Sequence, residues 1–346
     1  MPAMRFLQIE PTTRCNFTCG FCAGRAMPQT DIGASTFDAA LATFPDLQHV
    51  ELQGEGESLM HPRFFDMVQV ARDRGVRISF ITNGSYLSQQ NVDRLLAAGI
   101  ERVSVSIESA DEGMFRKIRG GKLDKVVRGI ETLLGSRHRL GLDRPSVGFS
   151  ITVLQRTRGE LPAIIALYEK LGLDGGVTIQ PLERKADYAK GYDAEMQRET
   201  LSDDEVGDVW VEFLGDRTIR ALQKRKSSVP GFYDELMASW RPGQKRCPWL
   251  DSGAFVGNDG RVTPCCMVKD PRHALGTIGV DSASAILARR DELRGQLAAG
   301  QIPAPCQGCE LAKFSIIGKT ELMYWGVRGL WQRWFGRLGA RPQDRL

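Results

Sequence analysis

Cys15-Asn-Phe-Thr-Cys19-Gly-Phe-Cys22 sets three thiols on one short stretch, with an aromatic residue directly before the last of them. Thiolates are the usual ligands of iron–sulfur clusters. Three on one tight loop can hold three irons of a [4Fe–4S] cube and leave the fourth iron open to a further ligand. The stretch follows an apolar run, Arg5 to Ile9, which predicts a strand whose carboxyl end carries the thiols.

Outward from this loop, short apolar or β-branched runs alternate with amphipathic stretches. The predicted strands are Arg5 to Ile9, His49 to Gln53, Val76 to Ile81, Arg102 to Ile107, Val147 to Val153 and Val177 to Gln180. The predicted helices lie near Thr36 to Phe44, Pro62 to Arg74, Ser88 to Ala98, Asp111 to Leu134 and Glu160 to Leu171. A β-then-α series at this spacing gives a parallel sheet with crossover helices, an α/β fold. Periodicity alone does not separate an open sheet from a barrel. In either case the site is expected where the βα loops gather, at the carboxyl ends of the strands.

Composition narrows the class. The 346 residues suit one large domain with a smaller one, and 42% hydrophobic with 25% charged residues is the balance of a globular protein. A net charge of +4 is too small to argue for nucleic acid. No run of about 18 apolar residues occurs, so no transmembrane segment is expected. Eight cysteines without a secretory signal pattern read as reduced thiols of a cytoplasmic protein. The four histidines are scattered and lack zinc-site spacing.

The CxxxCxxC spacing with its preceding aromatic residue resembles the signature of the radical S-adenosylmethionine (radical SAM) superfamily. The resemblance implies a partial (β/α)6 barrel, with Cys15, Cys19 and Cys22 holding a [4Fe–4S] cluster whose open iron chelates SAM. It implies reductive cleavage of SAM to a 5′-deoxyadenosyl radical that abstracts hydrogen from substrate, and a flavodoxin- or ferredoxin-type electron donor. Phe21 would pack against the adenine or fill the barrel mouth. Gly54-Glu55-Gly56-Glu57 resembles the family's Gly-Gly-Glu contact to the SAM amino group, with Glu55 in place of the usual first Gly. The implied contacts are therefore Gly56 and Glu57. Asn83 belongs to a T-N-G turn like the family's. Ser106 and Glu108, after the fourth strand, fall where the family contacts the ribose and carboxylate of SAM, and Ser150 and Gln180 are similar candidates on the next two strands.

Cysteines return at Cys247, Cys265-Cys266 and Cys306-Gln-Gly-Cys309. The spacing Cys247-x12-Gly260-x4-Cys265 resembles the opening of the SPASM/twitch extension, with Asp259-Gly260 as a hairpin turn that returns Cys265 toward Cys247. A full SPASM extension carries more cysteines, so the resemblance implies the shorter twitch form, an α+β module with one auxiliary [4Fe–4S] cluster on Cys247, Cys265, Cys306 and Cys309. Two cysteine pairs could equally close a structural zinc site. Cys266 is then left over: a hydrogen-atom donor to a substrate radical, an alternative ligand, or a small buried hydrophobe.

The predicted organisation is a core barrel over 1–184, a charged helical bridge without a chemical motif over 185–246, the cluster module over 247–312 and a basic, aromatic tail over 313–346. Trp and Arg interleave in that tail, which reads first as a capping helix. The expected function is oxidation or epimerisation of a small polar metabolite, such as a sugar or aminocyclitol, with the auxiliary cluster as electron acceptor. Twitch-type dehydrogenases and epimerases of aminoglycoside pathways resemble this layout. The alternative is a maturase acting on a precursor peptide, for which a first strand near residue 5 leaves no leader-recognition domain. A non-catalytic cluster carrier is disfavoured by the Cys triad together with Gly56 and Glu57.

Overall fold

The computed structural model describes residues 3–215 and 243–316. Much of the charged bridge and nearly all of the aromatic tail lie outside the described residues. The barrel elements alternate as β1 (Phe6–Ile9), α1 (Ala34–Thr43), β2 (His49–Leu52), α2 (Phe64–Asp73), β3 (Arg77–Thr82), α3 (Gln89–Ala97) and β4 (Arg102–Ser106). They continue with α4 (Glu112–Arg119), α5 (Leu123–Arg139), β5 (Ser146–Val153), α6 (Leu161–Lys170) and β6 (Val177–Pro181). β1 and β2 are buried along their whole length, because helices cover a parallel sheet and leave no solvated face. The fold is α/β, and its six βα units form a partial (β/α)6 barrel.

Each predicted strand forms within a residue or two of its expected bounds. One helix does not. The stretch Asp111 to Leu134 is two helices, α4 and α5, broken at Gly120-Gly121. Gly120 has φ +71°, and a Cβ there would stand 2.1 Å from the Thr18 hydroxyl oxygen. A Cβ on Gly121 would stand 2.2 Å from the Phe17 ring. Both glycines let the end of α4 press against the Cys15–Cys22 loop, which a continuous helix could not do.

Past the bridge come β7 (Gly253–Val256), β8 (Arg261–Thr263) and β9 (Gly276–Thr277), then a helix at Ala283–Ala298. The β7–β8 hairpin turns at Asp259-Gly260, with Gly260 at φ +82°. β7 also pairs in parallel with β1, from Phe6 opposite Gly253 to Ile9 opposite Val256. The sheet order is therefore β6-β5-β4-β3-β2-β1-β7-β8-β9. The cysteine-bearing C-terminal module extends the core sheet and does not stand apart from it. Among the described residues no helix is long and apolar enough to cross a membrane.

Candidate active site

A cavity of about 430 Å³ opens at the carboxyl ends of the strands. Cys15, Cys19, Phe21 and Cys22 line it from the loop after β1, and Gly56, Glu57 and Asn83 from the ends of β2 and β3. Ser106, Ser150 and Gln180 line it from β4, β5 and β6, and Cys266 reaches it from the C-terminal module.

The thiol loop is held in shape by its surroundings. Thr18 N–H donates to the Arg119 carbonyl at 2.9 Å, and Asn83 Nδ2 donates to Asn16 Oδ1 at 2.9 Å and approaches Cys15 Sγ at 3.7 Å. Arg119 Nη1 lies 3.9 Å from Cys19 Sγ. Burial raises all three thiols, Cys19 to about 11, against the Arg119 charge that favours its thiolate. Such thiols stay protonated at neutral pH until a metal charge draws the proton off.

Glu108 is placed apart from the other expected SAM contacts. It does not line the cavity. Its carboxylate is 1% exposed and both its oxygens pair with the Arg119 guanidinium, one at 2.6 Å. A carboxylate buried this deeply needs a cation, and the one it takes is the residue that ends α4 beside Cys19. Glu57 does line the cavity, but its carboxylate accepts from Thr82 Oγ1 at 2.8 Å, Asn83 N–H at 2.7 Å and Leu59 N–H at 3.2 Å. It pins the T-N-G turn. Gly56 must lack a side chain because a Cβ would meet the Thr12 carbonyl at 2.2 Å.

Four lining groups were not among the expected site residues. Glu55, the departure from the usual Gly, pairs with Lys269 at 2.8 Å and accepts from Tyr188 Oη at 3.1 Å and Cys22 Sγ at 3.3 Å. Burial alone would raise this carboxyl, but Lys269 and these donors bring it below its ordinary value. Lys269 comes from the C-terminal module, while Tyr188 and Tyr192 come from the bridge that looked chemically empty. Long-range pairs of single residues leave no spacing to read.

The second thiol set lies in the C-terminal module. Burial raises Cys247, Cys306 and Cys309, Cys306 to about 12 and Cys309 to about 11; the Cys265 charge adds to all three, and that of Cys309 to Cys247 and Cys306. Cys266 turns the other way, into the cavity, where Lys269 and Glu55 are among its charged neighbours. Among the described residues no three His, Cys, Asp or Glu side chains converge as a single metal ion requires.

The family model described as the radical SAM superfamily matches residues 9–167, and one described as an iron–sulfur cluster-binding domain, SPASM, matches residues 247–310. The chain belongs to the radical SAM superfamily. It is 25% identical over 270 residues to the tungsten-containing aldehyde ferredoxin oxidoreductase cofactor-modifying protein of Pyrococcus furiosus, covering 76% of this chain and 71% of that one. It is 30% identical over 176 residues to an AdoMet-dependent heme synthase of Methanosarcina barkeri, about half of each chain (49% and 48%). The fold is shared with Streptococcus suis SuiB bound to S-adenosylmethionine (TM-score 0.65, 13% identity, 90% of this chain and 72% of that one). It is also shared with anSMEcpe bound to AdoMet (TM-score 0.66, 15% identity, 96% and 98%).

A radical SAM enzyme with a SPASM-type domain uses SAM, a SAM-binding [4Fe–4S] cluster and an auxiliary iron–sulfur cluster. The donor chemistry of this chain fits both clusters. Three thiols line the barrel cavity, and four thiols gather in the C-terminal module. Three thiols are the donor count of a [4Fe–4S] cluster with one open iron, and four the count of a fully ligated one.

Proposed function

We propose that this radical SAM enzyme oxidises a small polar metabolite held in the barrel cavity, with the auxiliary cluster as acceptor of the second electron. The observation that carries the reading is that one cavity is lined by Cys15, Cys19 and Cys22 and also by Cys266, whose neighbour Cys265 belongs to the second thiol set. A substrate in that cavity lies between the two cluster sites.

When bound, the clusters and SAM supply the electron transfer and the 5′-deoxyadenosyl radical that takes the substrate hydrogen. This chain's residues supply position. Cys15, Cys19 and Cys22 would ligate the SAM-binding cluster, and Cys247, Cys265, Cys306 and Cys309 the auxiliary one. Gly56 lets the backbone of Thr12 and Arg14 pack close against the end of β2, and Asn83 steadies the thiol loop. Ser106, Ser150, Thr152 and Gln180 offer hydroxyl and amide groups to a polar ligand, while Phe21 offers a ring face. The Glu55–Lys269 pair ties the barrel to the C-terminal module across the cavity wall. Cys266 places a protonated thiol in the cavity, the group that epimerisation would require to return a hydrogen atom. A flavodoxin- or ferredoxin-type protein would reduce the first cluster.

A second reading is modification of a peptide or protein, or of a cofactor; the cofactor case is favoured by the P. furiosus relative, a cofactor-modifying protein that matches 76% of this chain. Anaerobically reconstituted enzyme is incubated with SAM, dithionite and C-deuterated polyols or aminocyclitols. Deuterium in 5′-deoxyadenosine together with a ketone product supports the first reading. Deuterium return without oxidation, abolished in Cys266→Ala, moves the outcome to epimerisation. SAM cleavage with no transfer from any small polyol, but transfer from a peptide, establishes the second reading.

A further inference from the structure

Lys185 leaves the barrel just after β6 and is 4% exposed. Its Nζ donates to the Pro305 carbonyl at 2.5 Å, and its stem lies against Gly308, where a Cβ would stand 3.6 Å from Lys185 Cγ. Pro305 and Gly308 flank Cys306 and precede Cys309, so the ammonium is seated in the loop that carries two of the four thiols. A buried ammonium is unfavourable by several kcal/mol unless an opposite charge answers it. Lys269, buried nearby, has Glu55 at 2.8 Å.

Lys185 makes no such direct ion pair among the described residues, although the Glu183 carboxyl lies close enough to feel its charge. Its neighbours are committed elsewhere. Glu183 Oε1 accepts the backbone N–H groups of Arg184 and Lys185 at 2.9 and 2.8 Å, and Arg184 pairs with Asp203 at 2.7 Å and with Glu310. The groups that feel the Lys185 charge are Glu183, whose carboxylate it favours, and Cys265, Cys306 and Cys309, whose thiolates it favours. Thiolates around a cluster carry net negative charge that grows on reduction, and a fixed cation beside them raises the reduction potential. Glu183, two residues earlier, lines the cavity, so one short segment runs from the substrate site to the second thiol set.

We propose that Lys185 is a positioning residue for the auxiliary cluster, its buried ammonium balancing the cluster's negative charge and setting its potential high enough to accept the substrate electron. The last clause rests on the oxidative reading above, whereas the charge pairing does not.

The test is redox titration of anaerobically reconstituted, full-length enzyme without substrate, following each cluster by electron paramagnetic resonance in wild type, Lys185→Met and Lys185→Arg. The expected result is a tenfold or larger loss in the reduction equilibrium of the auxiliary cluster in K185M, about 59 mV downward for one electron. The SAM-binding cluster stays put, and K185R restores the wild-type value. Loss of the auxiliary iron from K185M but not from K185R supports the same pairing. An unchanged potential in fully loaded K185M overturns it, as does loss of the iron from both variants, which would mark a packing role. If substrate oxidation fails in wild type while the K185M shift is present, the oxidative reading falls and the pairing stands.

Discussion

Arg119 carries three tasks with one side chain and its carbonyl: it satisfies Glu108, faces Cys19 and anchors the thiol loop through Thr18. Replacing it with Met leaves the Glu108 carboxylate buried and unpaired, a change that costs about 3–5 kcal/mol. Urea unfolding of R119M should show that loss, and a midpoint within error of wild type would mean that the pair contributes nothing. In the sheet, His49 is 1% exposed and its Nε2 is 2.7 Å from Ser79 Oγ. Burial first, then the charges of Arg77 and Arg102, lower it to about 3 from an ordinary value of 6.5. The folded chain therefore keeps this ring neutral while the unfolded chain protonates it below pH 6.5. Its contribution is complete above that pH and declines as pH falls toward 3, by up to about 1.4 kcal/mol per pH unit. Between pH 6.5 and 5.5, His49→Gln should lose stability less steeply than wild type. Parallel slopes would show that His49 takes up its proton alike in the folded and unfolded chains, so that its folded value is not lowered.

The break between α4 and α5 is an element-scale device that a helical pattern hides. Charged and apolar residues recur at helical spacing from Asp111 to Leu134, and glycine within such a run signals only weaker helix, not a contact with a loop a hundred residues away. The strands were legible because β-branched and apolar runs bounded by turns need no distant partner to be read. The first thiol set was legible because its three cysteines stand at fixed spacing within one loop. The Glu55–Lys269–Tyr188 contact and the Glu108–Arg119 pair were not, since each joins residues whose adjacency exists only after folding. Gly120→Ala should force a left-handed alanine, worth about 1–2 kcal/mol, and push its Cβ into Thr18. The expected outcome is loss of the SAM-binding cluster, with iron falling from about eight to about four per chain. Gly141→Ala provides the control. Gly141 also has positive φ, +64°, but nothing lies within 4 Å of its would-be Cβ. It should lose a similar increment of stability and keep its iron. Equal iron loss in both variants would trace the effect to general instability.

On the scale of the whole molecule, the sheet decides how the two cluster regions communicate. β1 carries the SAM-binding thiols at its carboxyl end and pairs on one side with β2 and on the other with β7. Phe6 of β1 packs edge-on against Trp249, centroids 5.3 Å apart, in an apolar cluster that includes Cys247. Movement of the C-terminal module relative to the barrel would thus break strand pairing and core packing together, which holds the distance between the clusters nearly fixed. The consequence is cooperative unfolding. Cluster absorbance and far-ultraviolet circular dichroism should be lost in one coincident denaturant transition under anaerobic conditions. Ala254→Pro tests the coupling itself, because Ala254 is fully buried in β7 opposite Leu7, between two hydrogen-bonded neighbours. Proline there removes a ladder donor in an interior strand, a change of about 3 kcal/mol or more, and should lower the barrel's midpoint as well as auxiliary iron content. A barrel that keeps its midpoint and its SAM-binding cluster while the C-terminal module unfolds would show that the continuous sheet does not bind the two into one cooperative unit.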